Sequence, residues 1–183
     1  YGLALGGLEK GVSPLTMAGA YSAFANKGKM YTPHLITKIV DSTGAVIVDN
    51  TSKKPKQVIS EETADQMTSM LLGTFSNGTA VAANPAGYTV AGKTGTTETN
   101  FDSTKANDQW IVGYTPDVVI STWMGYEESS EIHYLEGTSG NVVGRVFKSA
   151  AEGILPYTDK SSFSVADAYA TGGQVVAADQ VNN

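Results

Sequence analysis

Apolar residues recur at helical spacing in three stretches of the chain. In the first stretch, Ser13 followed by Pro14 is a typical helix start, with the serine as N-cap and the proline at the first helical position. Apolar residues spaced three and four apart continue to Phe24, and Gly28 suits the left-handed conformation that often ends a helix. The pattern predicts a helix that begins at Ser13 and packs one broad face on a core.

Two further helices are predicted downstream. Ser60 is the candidate N-cap of the second helix, and Glu61 and Glu62 favour the positive end of its dipole. Its apolar stripe ends near residues 77–78. The third helix is predicted over Asn141–Leu155, where valine, phenylalanine and alanine side chains share one face.

Runs of β-branched and aromatic residues predict two groups of strands. Leu35–Val40 and Ala45–Asp49 flank a polar turn and are typical of a hairpin. Farther along, Tyr88–Thr96, Gln109–Tyr114 and Val118–Tyr126 are expected to pair antiparallel in that order. A Thr-Pro-Asp turn joins the last two strands. Helices and antiparallel hairpins in separate runs indicate an α+β class, an antiparallel sheet flanked by helices.

The two ends of the chain differ in character. The first residues, Tyr1–Leu8, are apolar and lack an initiator methionine, so we expect the chain to begin partway through a larger protein. Residues 1–156 are expected to form one folded unit. Residues 157–183 are small, polar and aperiodic, and are predicted to be a mobile C-terminal tail.

Composition narrows the choice of function. The 183 residues carry a net charge of −6 and a single arginine, which argues against nucleic acid as a partner. Cysteine is absent, so thiol chemistry is excluded, and neither His34 nor His133 stands in a metal-ligand spacing. Both histidines are predicted to be surface residues. No apolar run reaches the roughly 18 residues that a membrane-spanning helix needs.

The candidate chemistry lies where the strand Tyr88–Thr96 ends in a Lys-Thr-Gly sequence. Alternation along a strand places Thr94 and Thr96 on one face and Lys93 and Gly95 on the other. Gly95 leaves room for a second backbone beside the strand. A lysine, hydroxyls and a glycine along one edge suit an anionic, peptide-like ligand that docks as an extra strand. The competing interpretation is a polar turn with a solvated lysine.

Three stretches in this order resemble the transpeptidase domain of bifunctional (class A) penicillin-binding proteins: residues 11–28, 91–97 and 108–126. The resemblance covers about residues 1–155. It implies the fold of the serine β-lactamases and D,D-transpeptidases, an antiparallel sheet with helices on both faces. It also implies an enzyme that cross-links peptidoglycan stem peptides at D-Ala-D-Ala through an acyl-serine. β-Lactams would acylate the same serine, on the extracytoplasmic face of the bacterial cell membrane.

The chain departs from the family pattern in one respect. The family carries Ser-x-x-Lys, then Ser-x-Asn, then Lys-Thr-Gly, and only the third motif is in place here. Ser139-Gly140-Asn141 fits the second motif but follows the third, so Ser139 is interpreted as a helix-start residue. The nucleophile is therefore expected upstream of Tyr1. The sheet is expected to be incomplete, with Val118–Tyr126 at an open edge.

The resemblance also implies roles for the residues of the third motif. Lys93 and Thr96 are the catalytic candidates: Lys93 supplies positive potential, and the Thr96 N–H stabilises the oxyanion. The hydroxyls of Thr94 and Thr96 would hold the substrate carboxylate, and Gly95 and Thr97 would complete the substrate-binding strand. The loop 97–107 would rim the cleft, with Trp110 packed beneath it. No cofactor and no metal is expected.

The implied partners are peptidoglycan stem peptides, β-lactam antibiotics and the upstream part of the same protein, with its Ser-x-x-Lys and Ser-x-Asn motifs. Contact with the membrane would occur only through an upstream anchor. Two alternatives stay open: a β-lactamase-like serine hydrolase on the same fold, and a non-enzymatic module that binds the cell wall. The isolated chain is predicted to have no transpeptidase activity.

Overall fold

The computed structural model describes residues 11–51, 53–165, 168–171 and 174–177. Three α-helices contribute most of the packing against the main sheet: α1 (Pro14–Ala25), α2 (Glu61–Ser76) and α3 (Val143–Ile154). The strands in chain order are β1 (Lys29–Met30), β2 (Lys38–Val40), β3 (Val46–Asp49), β4 (Lys56–Gln57), β5 (Ala91–Glu98), β6 (Ala106–Tyr114), β7 (Val119–Gly125), β8 (Ala168–Thr171) and β9 (Gln174–Ala177). Short 3-10 turns cover Val81–Ala83 and Leu155–Tyr157.

The central sheet has the predicted order, β5-β6-β7, with both pairs antiparallel. Lys93 lies opposite Val112, and Trp110 lies opposite Trp123 in the next pair. The strand bounds differ from those predicted. β5 begins at Ala91 rather than Tyr88, and β6 begins at Ala106 because its first residues pair with the end of β5. A register shift after Thr97 marks a bulge in this pair.

The first two helices begin as their sequences predict. Ser13 Oγ accepts a hydrogen bond from the Thr16 N–H at 3.1 Å, and Ser60 Oγ accepts one from the Thr63 N–H at 3.0 Å. Each bond satisfies one of the free N–H groups at a helix start. Gly28 follows α1 with a φ of 82°, the left-handed conformation expected there.

α3 begins at Val143, two residues later than predicted, and its N-cap residue Val142 makes no side-chain cap. The helix is held instead by its buried face, where Phe147 packs on Phe75 of α2 with ring centroids 5.4 Å apart. Gly113 of β6 lies beneath this contact. A Cβ at Gly113 would come within 2.4 Å of Phe147 Cζ, so the close packing of α3 requires glycine there.

Helices cover both faces of the sheet, as the family resemblance implied. One buried cluster joins Ile111 of the sheet to Phe147 and other residues of α3. The second cluster, on the opposite face, joins Tyr114 and Ala91 to α2, with Tyr21 and Phe24 of α1 packed against it. α2 contributes to both clusters. The Tyr114 hydroxyl and Thr68 Oγ1 of α2 are 2.8 Å apart in this core.

The smaller elements lie around this sheet. β2 and β3 form the predicted antiparallel hairpin, and β1 pairs with β4. The C-terminal region differs from the predicted aperiodic tail. Phe163 packs edge-on to Tyr114 with ring centroids 5.8 Å apart, and β8 pairs with β9 as a second hairpin. Phe163 and Val165 are the apolar residues that hold this segment on the core. The other residues of the predicted tail, 166–167, 172–173 and 178–183, lie outside the described part.

Within the described residues, β7 pairs with β6 only, so its second edge is open, as predicted. The described part of the chain also contains no helix long and apolar enough to cross a membrane.

Candidate active site

The candidate site lies along β5, whose outer edge has no strand partner in the described part of the chain. The Thr115 N–H donates to the Val118 carbonyl at 2.9 Å and closes the β6–β7 turn. Because backbone groups in an antiparallel pair alternate in direction, Trp110 then turns its N–H and C=O toward β5. Gly95 lies opposite Trp110 and faces β6. Thr94 and Thr96 therefore direct their N–H and C=O groups to the open edge.

The Lys93 side chain starts on the face of β5 opposite to Thr94 and Thr96, yet its ammonium group reaches this open edge. Its Nζ donates to the carbonyl oxygen of Thr94 at 2.9 Å, and its side chain is exposed. Among the described residues, no carboxylate lies within ion-pair distance of Lys93. The ammonium thus adds positive charge, without a carboxylate partner in the described part of the chain, to the edge toward which the Thr94 and Thr96 backbone groups point.

Thr94 lies on the opposite face of β5, where its Oγ1 is 2.7 Å from Thr79 Oγ1. Thr79 is exposed and lies just after α2. Either hydroxyl can donate in this pair. When Thr79 donates, the Thr94 proton is free for a ligand oxygen.

Thr96 is held differently, by Ser139. Ser139 Oγ donates to the Gly95 carbonyl oxygen at 2.7 Å and lies 2.6 Å from Thr96 Oγ1. A serine hydroxyl has one proton, so with that proton on Gly95 the Thr96 hydroxyl is the donor to Ser139. The interpretation of Ser139 as a helix-start residue is therefore wrong for its side chain. α3 begins four residues later, and the Ser139 hydroxyl bonds to β5.

The loop that carries Ser139 is anchored at several points. The buried Gln109 amide donates to the Gly137 carbonyl at 2.9 Å. Lys105 Nζ and Glu136 Oε1 form an ion pair at 2.6 Å, and hydrogen bonding to Glu136 raises the pKa of Lys105. Lys105 also lies 4.5 Å from the centroid of the Tyr134 ring. The loop is therefore fixed to β6 and to Lys105, which lies just before β6.

A cleft of about 990 Å³ opens beside β5, between the sheet and α1. Every residue from Lys93 to Thr97 borders it, so the structure brings all the predicted site residues together. Its apolar floor includes Trp110, packed on Trp123 at 6.4 Å between ring centroids. The cleft thus combines the Lys93 ammonium at the strand edge with an apolar floor.

Three residues of this region carried no usable signal in the sequence. Thr79, Gln109 and Ser139 are 14 to 44 residues from the Lys-Thr-Gly sequence, and each resembles an ordinary loop or strand residue. Ser139 was noticed only through its Ser-x-Asn spacing. His34 and His133 are exposed, as predicted.

Comparison with known proteins shows the family. The family model of the penicillin-binding protein transpeptidase domain matches residues 1–152. The chain belongs to this family. It is 50% identical over 173 residues to penicillin-binding protein 2a of Streptococcus pneumoniae. The aligned region covers 94% of this chain and 23% of that protein. Penicillin-binding protein 1F of Bacillus subtilis is 42% identical, over 80% of this chain and 20% of its own length.

Solved structures of penicillin-binding proteins have the same fold. PonA1 of Mycobacterium tuberculosis matches with a TM-score of 0.69 and 27% identity, over 87% of this chain and 42% of that chain. The D,D-transpeptidase domain from Eggerthella lenta matches with a TM-score of 0.60 and 32% identity, over 78% of this chain and 32% of that chain. The family and fold expected from the sequence are thus confirmed. The chain spans less than a quarter of the length of the two relatives from Streptococcus pneumoniae and Bacillus subtilis.

Proposed function

We propose that this chain supplies the carboxylate pocket and the oxyanion donor of a peptidoglycan D,D-transpeptidase. One observation carries the proposal: the outward-facing backbone groups of Thr94 and Thr96 and the Lys93 ammonium share one open sheet edge beside the cleft. A peptide with an anionic C-terminus can pair with such an edge, and the ammonium favours its carboxylate. The nucleophilic serine and its lysine belong to an upstream part of the same protein.

In the proposed reaction the serine oxygen bonds to the penultimate D-Ala carbonyl carbon while the neighbouring lysine takes the serine proton. The Thr96 N–H donates to the developing oxyanion, since it points to the edge where the substrate lies. The amide bond then breaks, and the terminal D-Ala leaves with the proton. The amine of a second stem peptide attacks the acyl-serine and restores the hydroxyl.

The two threonines are not equivalent in this proposal. The Thr94 proton is free when Thr79 donates to it, whereas the Thr96 proton is used in the bond to Ser139. Thr94 is therefore the principal hydroxyl donor to the carboxylate. Thr96 contributes mainly through its backbone N–H, and its hydroxyl binds a ligand only after turning away from Ser139. Gly95 and Thr97 complete the strand along which the peptide lies.

The wider setting is proposed on the same basis. β-Lactams would bind as analogues of the stem peptide, with their carboxylate at Lys93 and Thr94. The protein would act on the outer side of the cytoplasmic membrane, attached through an upstream anchor. The isolated 183-residue chain would neither be acylated by penicillin nor cross-link peptides, because the serine and its base are outside it.

The acylation rate of the complete protein tests the proposal. Thr94→Val should slow acylation by a carboxylate-bearing β-lactam about tenfold to a hundredfold, the value of a hydrogen bond to a charged group. Lys93→Ala should slow acylation more than Thr94→Val does, because a positive charge and a hydrogen-bond donor are lost together. With a carboxylate-free analogue, both variants should react at close to the wild-type rate.

Matched controls are Thr37→Val and Lys54→Ala, whose side chains are exposed and outside the cleft. Equal losses with the two β-lactams would overturn the pocket assignment. A wild-type protein that fluorescent penicillin does not label would favour the wall-binding module. Rapid release of the acyl group to water would favour the β-lactamase-like hydrolase.

A further inference from the structure

The peptide unit that joins Gly95 to Thr96 is the unit that carries the proposed oxyanion donor. In a trans peptide the C=O and the N–H point in opposite directions, and the described residues contain no cis peptide bond. Ser139 Oγ donates to the carbonyl oxygen of this unit at 2.7 Å. Fixing the carbonyl on the β6 side therefore fixes the Thr96 N–H toward the open edge.

This peptide unit is held by the sheet on one side only, and Ser139 adds a second anchor. Gly95 has no side chain to limit its rotation, and even a Cβ there would contact only Trp110 Cβ, at 3.4 Å. β5 is paired on one side only in the described part, and its register shifts after Thr97. The unit is paired with Trp110 in the ladder and lies two residues before the bulge, so the Ser139 hydroxyl is a second constraint on its carbonyl.

Ser139 is itself rigidly placed. Its side chain is buried, with 2% of the residue exposed, and its carbonyl accepts the Gly144 N–H of α3 at 2.8 Å. The next residue, Gly140, lies against the Thr79 backbone, where a Cβ would approach the Thr79 carbonyl oxygen to 2.0 Å. Gln109 holds the preceding Gly137 from β6. Because α3 and β6 hold the Ser139 loop in place, the Ser139 hydroxyl fixes β5 relative to both elements.

We propose that Ser139 is a positioning residue of the transpeptidase, which acts through the Gly95 carbonyl to aim the Thr96 N–H at the oxyanion. The inference rests on the function proposed above and adds a residue to its site. Ser139 touches neither substrate nor nucleophile in this scheme. It lowers the cost of the transition state because the oxyanion donor is oriented before the reaction begins.

The test is acylation of the complete protein at saturating β-lactam. Ser139→Ala should lower the limiting acylation rate about tenfold, the effect of one hydrogen bond that helps to place the donor. The constant for initial binding should stay within about twofold, since the donor is needed in the transition state rather than in the first complex. Ser139→Thr restores the hydroxyl and should recover most of the rate.

Ser121→Ala is the matched control, because the Ser121 Oγ on β7 is buried and has no hydrogen-bond partner among the described residues. It should leave the limiting rate unchanged. If Ser139→Ala does not fold, Ser139→Cys takes its place. The thiol is a weak donor of similar size, so its limiting rate should fall between those of the wild type and the alanine variant.

A double-mutant cycle identifies the route of the effect. In a Thr96→Val background, Ser139→Ala should still cost about tenfold, because the Gly95 carbonyl bond is independent of the Thr96 hydroxyl. Loss of the effect in that background would overturn the inference, and so would a wild-type limiting rate in Ser139→Ala. A wild-type protein that is never acylated would overturn the proposed function and this inference with it.

Discussion

Gly113 and Gly95 of the central sheet differ in what a side chain at each position would contact. At Gly113 a Cβ would meet the Phe147 ring at 2.4 Å, so the glycine serves the packing of α3. At Gly95 the nearest atom to a Cβ would be Trp110 Cβ at 3.4 Å, an ordinary contact. The fold therefore tolerates a methyl group at Gly95. We propose that glycine is required there by a ligand that approaches the strand.

Alanine substitutions separate these two reasons. Gly95→Ala should retain wild-type stability in the complete protein and lose at least about tenfold in acylation rate, because the methyl group meets the docking peptide. Gly113→Ala should destabilise the protein by roughly 1–3 kcal/mol through overpacking. Denaturant unfolding and penicillin acylation of both variants check this. A Gly95→Ala protein that acylates normally would contradict the docking of a ligand along β5.

The sequence placed the candidate residues correctly on the strand β5 but predicted only part of their contacts. Alternation along a strand was enough to place Thr94 and Thr96 on one face, because it depends on neighbours in the chain. The bonds to Thr79 and Ser139 depend on loops that fold back from 15 and 43 residues away. No local pattern specifies such a contact, which explains why Ser139 was misinterpreted.

At the scale of elements, the C-terminal segment is attached to the turn between β6 and β7. The carboxylate Oδ2 of Asp117 accepts a hydrogen bond from the Ser161 N–H at 2.9 Å, and hydrogen bonding to Ser161 lowers the Asp117 pKa below its usual 3.8. Phe163 and Val165 then pack on the core close by. The attachment combines one ionisable acceptor with an apolar contact.

The lowered Asp117 pKa sets the direction of a pH dependence. A carboxylate with a depressed pKa stabilises the attached state above its unfolded pKa, and the effect is lost as the pH falls through the folded pKa. Amide exchange over residues 158–165 of the complete protein should therefore be faster in Asp117→Asn than in wild type at pH 7. The two rates should converge as the pH falls below the usual value of 3.8. If the ratio of the exchange rates of Asp117→Asn and wild type does not change with pH, the Asp117 carboxylate does not hold residues 158–165.

The sequence predicted the helix starts and turns that depend on neighbouring residues. It did not predict those that depend on contacts between distant parts of the chain. The serine caps of α1 and α2 and the turn before β7 are determined within a few residues, and the structure has them as predicted. α3 lacks a side-chain cap and owes its start to packing, so its first residue was placed two positions too early. The segment with Phe163 shows no periodicity, and its order comes from Tyr114, which lies 49 residues away in the chain.

At the scale of the whole molecule, the central sheet has two open edges in the described part, on β5 and on β7. The edge of β5 borders the cleft and is assigned to the ligand. The edge of β7 has no such role, and an exposed flat edge is a hazard for aggregation. We expect an upstream part of the protein to continue the sheet there, as the family fold implies.

Hydrogen exchange tests this completion of the sheet. The alternation that starts at the Thr115–Val118 bond turns the amides of Val119, Ser121 and Trp123 away from β6. These three amides should exchange slowly in the complete protein and rapidly in the isolated chain. The amides of Ile120 and Thr122, which face β6, should be protected in both. Rapid exchange of the outward amides in the complete protein would show that β7 is a true edge.

The β5 edge is proposed to bind the acyl group and the carboxylate of a stem-peptide analogue. The most direct measurement is a crystal structure of the complete protein acylated by a penicillin. We predict that the acyl carbonyl oxygen lies within about 2.7–3.1 Å of the Thr96 backbone nitrogen, with the carboxylate at Thr94 Oγ1 and Lys93 Nζ. An acyl group whose carbonyl oxygen and carboxylate both lie away from β5, with the Thr96 N–H bonded to another strand, would contradict it.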